Sequence, residues 1–237
     1  MQLFFNSELT ENDKQVSFSK DESRHIAKVL RKNPGDSLHI TNGNGLLFKA
    51  RLSLVSAKQC AAEIEVVEAS PPPPFHLHLA VAPTKMNDRY EWFLEKATEI
   101  GISEITPIIC EHSERRHIKS ERFNRIITTA TKQSLRAWKP RLNEAVSFAE
   151  FLSEENKAEL KCIAHCESSK KTGPEELIQK GKSVCILIGP EGDFSSEEIN
   201  LAVEKGFQPI HLGENRLRTE TAAIVACHTA VFLNQIK

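Results

Sequence analysis

Four consecutive prolines, Pro71 to Pro74, separate two kinds of sequence in this chain of 237 residues. Each proline holds φ at about −65° and lacks an amide donor, so the run suits neither a helix interior nor a central strand and reads as a stiff extended linker. Residues 1–70 carry mainly alternating strand patterns, such as Ser37–Thr41 and Gly45–Leu52 joined by the turn Asn42-Gly-Asn-Gly45, with one helix over 20–32. That pattern predicts a small β-barrel. In residues 75–237, short apolar runs at Leu77–Val81, Ile105–Ile109, Lys161–Ala164 and Val184–Ile188 alternate with amphipathic helical stretches. This is the rhythm of an α/β domain with a mostly parallel sheet.

Two strand ends near the C-terminus run into glycine-bearing loops. The strand Val184–Ile188 leads into Gly189, Pro190 and Gly192, where missing side chains or a missing N–H let a ligand approach the backbone. Ser195 caps the next helix, with Glu198 completing a capping box and Gly206 as the stop. The second loop, Leu212-Gly-Glu-Asn-Arg-Leu-Arg-Thr-Glu-Thr-Ala222, follows a strand over Pro209–Leu212 and opens a helix over Thr219–Gln235. Either loop alone is an ordinary strand-to-helix connection. Two at this spacing can line one cleft.

Composition narrows the class. A hydrophobic content of 40% supports real cores. No apolar run approaches the ~18 residues of a membrane span, and the N-terminus lacks the basic start and apolar stretch of a signal peptide, so no membrane partner and a cytoplasmic location are expected. The six cysteines are scattered without a Cys-x-x-Cys pair and read as buried reduced thiols. Cys162, His165 and Cys166 lack the second pair that a structural zinc site needs, so no metal is expected. Gly181-Lys-Ser183 has no earlier glycine to make a phosphate-binding loop, Gly43-Asn-Gly45 has no third glycine, and neither His-Glu-x-x-His nor Gly-x-Ser-x-Gly occurs.

The net charge of −1 says nothing about partners, but its distribution does. Residues 115–141 hold nine basic side chains against one acid, Glu121. On a helix over 120–137, Phe123, Ile126, Ile127 and Ala130 form an apolar stripe, leaving Arg122, Arg125, Lys132 and Arg136 mainly on other faces. In the N-terminal half Arg24, Lys28 and Arg31 recur at helical spacing while Ile26, Val29 and Leu30 can face inward. A charged helix face is most often only a solvated one. The concentration in the central segment, with Arg115, Arg116 and Lys119 beside Arg122 and Arg125, favours a polyanion.

Taken together, the two C-terminal loops resemble the signature of the RsmE family, the 16S ribosomal RNA uracil-N3 methyltransferases of the SPOUT class. Arg24-His-Ile-Ala-Lys-Val-Leu-Arg31, Glu95-Lys-Ala-Thr-Glu-Ile-Gly-Ile102 and Gln133-Ser-Leu-Arg136 extend the similarity over nearly the whole chain. The chain departs from the usual pattern at Asp193, where glycine is common, and at Glu214-Asn-Arg216, in place of Pro-Arg-Ile. The resemblance implies a PUA-like RNA-binding barrel over 1–70 and a SPOUT methyltransferase domain with a trefoil knot over 75–237. It also implies a homodimer, S-adenosylmethionine as cofactor and 16S rRNA of the small ribosomal subunit as partner. The cofactor would lie against His165, Ile188, Gly189, Pro190, Glu191, Gly192, Leu212, Gly213, Leu217, Arg218, Thr219, Thr221 and Ala222. RNA would meet Arg24, Lys28, Arg31, Arg115, Arg116, Lys119, Arg122 and Arg125.

The implied chemistry asks the protein to handle uracil. N3 becomes nucleophilic only as its proton leaves and charge spreads onto the flanking carbonyl oxygens, so a cation beside those oxygens and a nearby base are required. Arg136 and Arg218 are candidates for the cation, and Glu220 and Glu191 for the base; Arg218 and Glu220 equally suit pairing at the start of the last helix. A non-catalytic RNA-binding protein has no use for both loops. That protein and a SPOUT enzyme acting on tRNA are the two alternatives.

Overall fold

The computed structural model describes residues 2–168 and 170–235. The chain divides into two compact units, one of residues 1–72 with 131–139, the other of residues 73–130 with 140–237.

The first unit is a five-stranded mixed sheet of β1 (Leu3–Phe5), β2 (Gln15–Ser17), β3 (Ser37–Thr41), β4 (Leu46–Val55) and β5 (Cys60–Ala69), ordered β1-β3-β4-β5-β2. β1 pairs with β3 in parallel; the other pairs are antiparallel. Alternate residues of β4, including Phe48, Ala50 and Leu52, point into a core shared with Phe4, Ile26 and Ile40. Helix α1 (Lys20–Arg24) continues as a π-helical turn over His25–Val29, in which the Leu30 N–H donates to the His25 carbonyl. The wider turn breaks the 3.6-residue period on which the inward facing of Val29 rests. Ile26 is buried, but Val29 is 65% exposed. Residues 137–139 extend the unit: Gly45 donates to the Ala137 carbonyl, Lys139 donates to the Gly43 carbonyl, and Trp138 lies so close over Gly45 that no Cβ fits there.

The proline boundary alone would place 131–139 with the other unit. Instead α3 (Ser120–Gln133) stops four residues short of the expected 137. Leu135 takes a left-handed conformation (φ 57°), and Arg136 N–H reaches back to the Thr131 carbonyl, a Schellman stop made without glycine.

The second unit holds a parallel sheet ordered β12-β10-β11-β6-β7-β8. It is built from β6 (Leu77–Val81), β7 (Glu104–Ile109), β8 (Arg141–Leu142), β10 (Leu160–Ala164), β11 (Val184–Ile188) and β12 (Gln208–Ile210), with β9 (Val146–Ser147) also on β7. All five residues of β11 are buried, Val184, Ile186 and Ile188 in one core and Cys185 and Leu187 in another. A strand covered on both faces needs such a continuous apolar run, and each large side chain so buried contributes about 1.5–3 kcal/mol. Helices α2 (Asn87–Ile100) and α7 (Thr219–Gln235) pack on the first face; α4 (Phe148–Ser153) and α6 (Ser196–Glu204) pack on the second, and the short α5 is Pro174–Leu177. Ser147 and Ser195 start α4 and α6 with complete capping boxes. No helix among the described residues is long and apolar enough to cross a membrane.

Candidate active site

Register brings the chemistry to one end of this sheet. Ala164 pairs with Ile188 and with Ile210, so β10, β11 and β12 end level and their three following loops leave side by side. Between those loops lies a cleft of about 760 Å³. Open parallel sheets carry ligand sites at this position, outside the carboxyl ends of the strands. The size falls within the range of small-molecule pockets.

Eleven of the thirteen residues named for the cofactor line the cleft: His165, Ile188, Gly189, Pro190, Glu191, Leu212, Gly213, Leu217, Arg218, Thr219 and Ala222. Gly192 and Thr221 do not. A Cβ on Gly192 would meet the Cβ of His112 at 3.0 Å, a tight contact with a side chain that does not line the cleft. Gly213 is different: its φ of 114° disfavours any other residue, and no atom lies within 4 Å of where its Cβ would be.

Acids and a histidine give the cleft its polarity. Both ring nitrogens of His165 are buried without a hydrogen-bond partner, and burial, with Lys171 adding to it, lowers the pKa of its ring. The neutral imidazole therefore offers one donor and one acceptor. Glu191 accepts the Lys85 N–H through Oε1 at 2.9 Å, while Oε2 is buried and unpartnered. Asp193 and Glu167 stand on facing loops, with Arg216 and Lys171 also on the walls. Cys166 lines the cleft as well and is exposed, unlike the other five thiols, which are buried as expected. Periodicity could not have found Cys166, Lys171 or Arg216, because none sits in a regular element.

Of the catalytic candidates, Arg218 lies on the cleft wall. Glu220 does not; it is buried in the first turn of α7, with Oε1 3.9 Å from Arg89 Nε and Oε2 without a hydrogen-bond partner. Arg136 belongs to the first unit.

The basic segment is less bare than its sequence suggests. Arg122 pairs with Glu91 at 2.6 Å and Lys132 with Glu22 at 4.0 Å, both acids distant in sequence. The Arg115 guanidinium donates to the Thr84 carbonyl at 3.1 Å and to the Lys85 carbonyl at 2.8 Å, and Arg116 donates to the Glu111 carbonyl. Lys119 and Arg125 are exposed, as are Arg24, Lys28 and Arg31.

A parallel-sheet unit with a strand-end cleft, following a small mixed-sheet unit in the chain, coincides with the two domains that family models of RNA methyltransferases match. The family model described as RNA methyltransferase domain matches residues 71–231, and that described as RNA methyltransferase PUA domain matches residues 18–65. The ribosomal RNA small subunit methyltransferase E of Rickettsia conorii is 30% identical over 226 residues, covering 94% of this chain and 92% of that protein. The Bacillus subtilis protein of the same name is 30% identical, covering 89% and 87%. Among solved structures, a "probable rRNA-methyltransferase" from Porphyromonas gingivalis superposes with a TM-score of 0.91 at 39% identity, covering 99% of this chain and 98% of that one. The Neisseria gonorrhoeae ribosomal RNA small subunit methyltransferase E, solved bound to S-adenosyl methionine, gives a TM-score of 0.87 at 28% identity, covering 98% of each chain. The chain belongs to the ribosomal RNA small subunit methyltransferase E family.

Proposed function

We propose that this protein methylates N3 of a uridine in the 16S rRNA of the small ribosomal subunit, with S-adenosylmethionine as methyl donor. The observation that carries this reading is the cleft at the ends of β10, β11 and β12 in a chain of this family. Its residues fit the cofactor. Ile188, Leu212 and Leu217 supply apolar walls, Gly213 leaves backbone open to close approach, and His165 presents buried donor and acceptor atoms that nothing in the protein satisfies. When bound, the cofactor supplies an electrophilic methyl group on a sulfonium.

The chain's own residues then have to hold uracil and take its N3 proton. Glu191 is the proposed acceptor, because its Oε2 is unpartnered on a residue of the cleft wall, whereas Glu220 is directed to Arg89 at the start of α7. A proton acceptor must stand within hydrogen-bond reach of the group it deprotonates. Arg218, also on the wall, is the proposed cation for the charge that develops on the uracil oxygens. Arg136 is proposed as a second cation for the RNA, and Lys119, Arg125, Arg24, Lys28 and Arg31 as phosphate-binding groups.

The resemblance extends the proposal to a trefoil-knotted homodimer in the cytoplasm. On α7, Phe232 is 48% exposed and stacks on exposed His228, which leaves apolar surface for a second copy. The test is incubation with labelled S-adenosylmethionine and either small ribosomal subunits lacking the modification or bulk tRNA. Label in the subunits supports the reading; label in tRNA alone overturns the substrate, and cofactor binding without transfer to either overturns the reaction.

A further inference from the structure

Among the described residues only three non-glycine residues have positive φ, and Asp193, at 65°, is the one on the cleft wall. Left-handed backbone is disfavoured for any residue with a Cβ, so glycine would serve the turn better. Such outliers persist where the surroundings over-determine them. Here the turn Pro190–Asp193 is closed by the Asp193 N–H donating to the Pro190 carbonyl at 3.0 Å, and His112 Nδ1–H donates to the Asp193 carbonyl at 3.1 Å. Phe194, next in the chain, is buried against Phe148, and Ser195 begins the capping box of α6. The backbone of residue 193 is thus held on every side.

Its side chain works in the opposite direction. Oδ1 accepts the Phe194 N–H at 2.9 Å, and Oδ2 accepts the Cys166 N–H at 2.6 Å. The second bond ties the loop after β11 to the loop after β10, two walls of the cleft that are otherwise separated by twenty-seven positions of chain. Cys166 adjoins His165, the residue whose two ring nitrogens are buried without partners. Each amide is met by its own carboxylate oxygen, and asparagine in the same rotamer would turn an NH2 donor toward one of them.

We propose that Asp193 is a positioning residue of the cleft: it accepts a disfavoured backbone conformation so that its carboxylate can clamp the Cys166 amide and hold His165 in place for the cofactor. The inference rests on the cofactor reading above and assigns to Asp193 no direct role at the reacting atoms. It implies that stability and ligand affinity pull in opposite directions at this position. Replacement by glycine relieves the backbone and releases the loop; replacement by asparagine keeps the conformation and loses one of the two accepted amides.

The test measures three quantities on Asp193→Gly and Asp193→Asn against the wild type: thermal midpoint without ligand, hydrogen exchange at the Cys166 amide, and the dissociation constant for S-adenosylmethionine. Expected are an unchanged or raised midpoint in Asp193→Gly, faster exchange at Cys166, and affinity weakened about tenfold or more, as for loss of a hydrogen bond to a charged group. In Asp193→Asn the same two losses appear with the backbone conformation retained. A purely structural role would lower the midpoint and leave the affinity of the folded variant alone, which overturns the proposal. So does wild-type protection of Cys166 in both variants. A wild-type protein that fails to bind S-adenosylmethionine overturns the cofactor reading, a result separate from binding that is indifferent to residue 193.

Discussion

The main-chain N–H of Lys85 holds Glu191 by one carboxylate oxygen at 2.9 Å, which leaves the other buried and without a partner. Glutamine can keep the bond to Lys85 and lose the base. Glu191→Gln is therefore expected to fold, to bind S-adenosylmethionine, and to lose about a hundredfold or more in single-turnover rate at saturating RNA, the size of a general-base contribution. Raising the pH should recover part of the loss, since more uracil is then already ionised. Full activity of Glu191→Gln would remove it from the chemistry. The same assay on Arg136→Ala separates a lowered rate from weakened RNA binding that saturation restores.

Two glycines should behave in opposite ways. Gly213→Val forces a side chain into a left-handed position facing open space on the cleft, so weakened cofactor binding is expected. Gly192→Val instead drives a side chain toward the His112 Cβ, and calorimetry should show a lowered melting temperature with little change in affinity for the folded fraction. Unchanged affinity in Gly213→Val would show that the cofactor does not approach that backbone.

His78, at the opposite end of β6, sets a pH dependence of stability. Burial depresses its pKa from 6.5 to about 4, against the pull of Glu104 and with help from His76 and Arg141; its Nε2 lies 2.7 Å from Thr106 Oγ1. A histidine depressed by folding binds its proton more readily when unfolded, so this contribution is present in full above pH 6.5 and is lost as pH falls from there toward 4. One such group gives a slope approaching ~1.4 kcal/mol per pH unit in that window. Urea midpoints measured across it should flatten in His78→Gln; an equal slope in both proteins would mean that other groups carry the effect.

For RNA, Arg115 is a poor choice of variant because its guanidinium braces the carbonyls of Thr84 and Lys85. Lys119→Ala with Arg125→Ala should leave cofactor affinity unchanged and reduce the salt dependence of RNA binding by roughly 0.7–0.9 logarithmic units for each phosphate no longer neutralised. An unaltered slope would place phosphate elsewhere on the protein.

Much of the fold is legible in the sequence. The strands at Ser37–Thr41, Leu77–Val81 and Val184–Ile188, the helix Thr219–Gln235 and the Ser195–Glu198 capping box have the expected bounds, because apolar runs and capping chemistry are local. The features that differ are decided by tertiary packing or by unusual backbone. The π-turn exposes Val29, Leu135 ends α3 where neither glycine nor proline marks a stop, and Glu91 and Glu22 answer basic charges that look uncompensated along the chain. In the cleft, the loops after β11 and β12 are recognisable from their glycines. The contribution of Cys166, Lys171 and Asp193 depends on β10 lying between those two strands, which only the sheet order reveals.

The most direct measurement is nucleoside mass spectrometry of 16S rRNA after unmodified small subunits react with the protein and isotopically labelled S-adenosylmethionine. A single labelled N3-methyluridine per rRNA is expected, dependent on Glu191 and Arg218. Label on carbon, on ribose or on another base, with no N3-methyluridine, would contradict the proposed reaction.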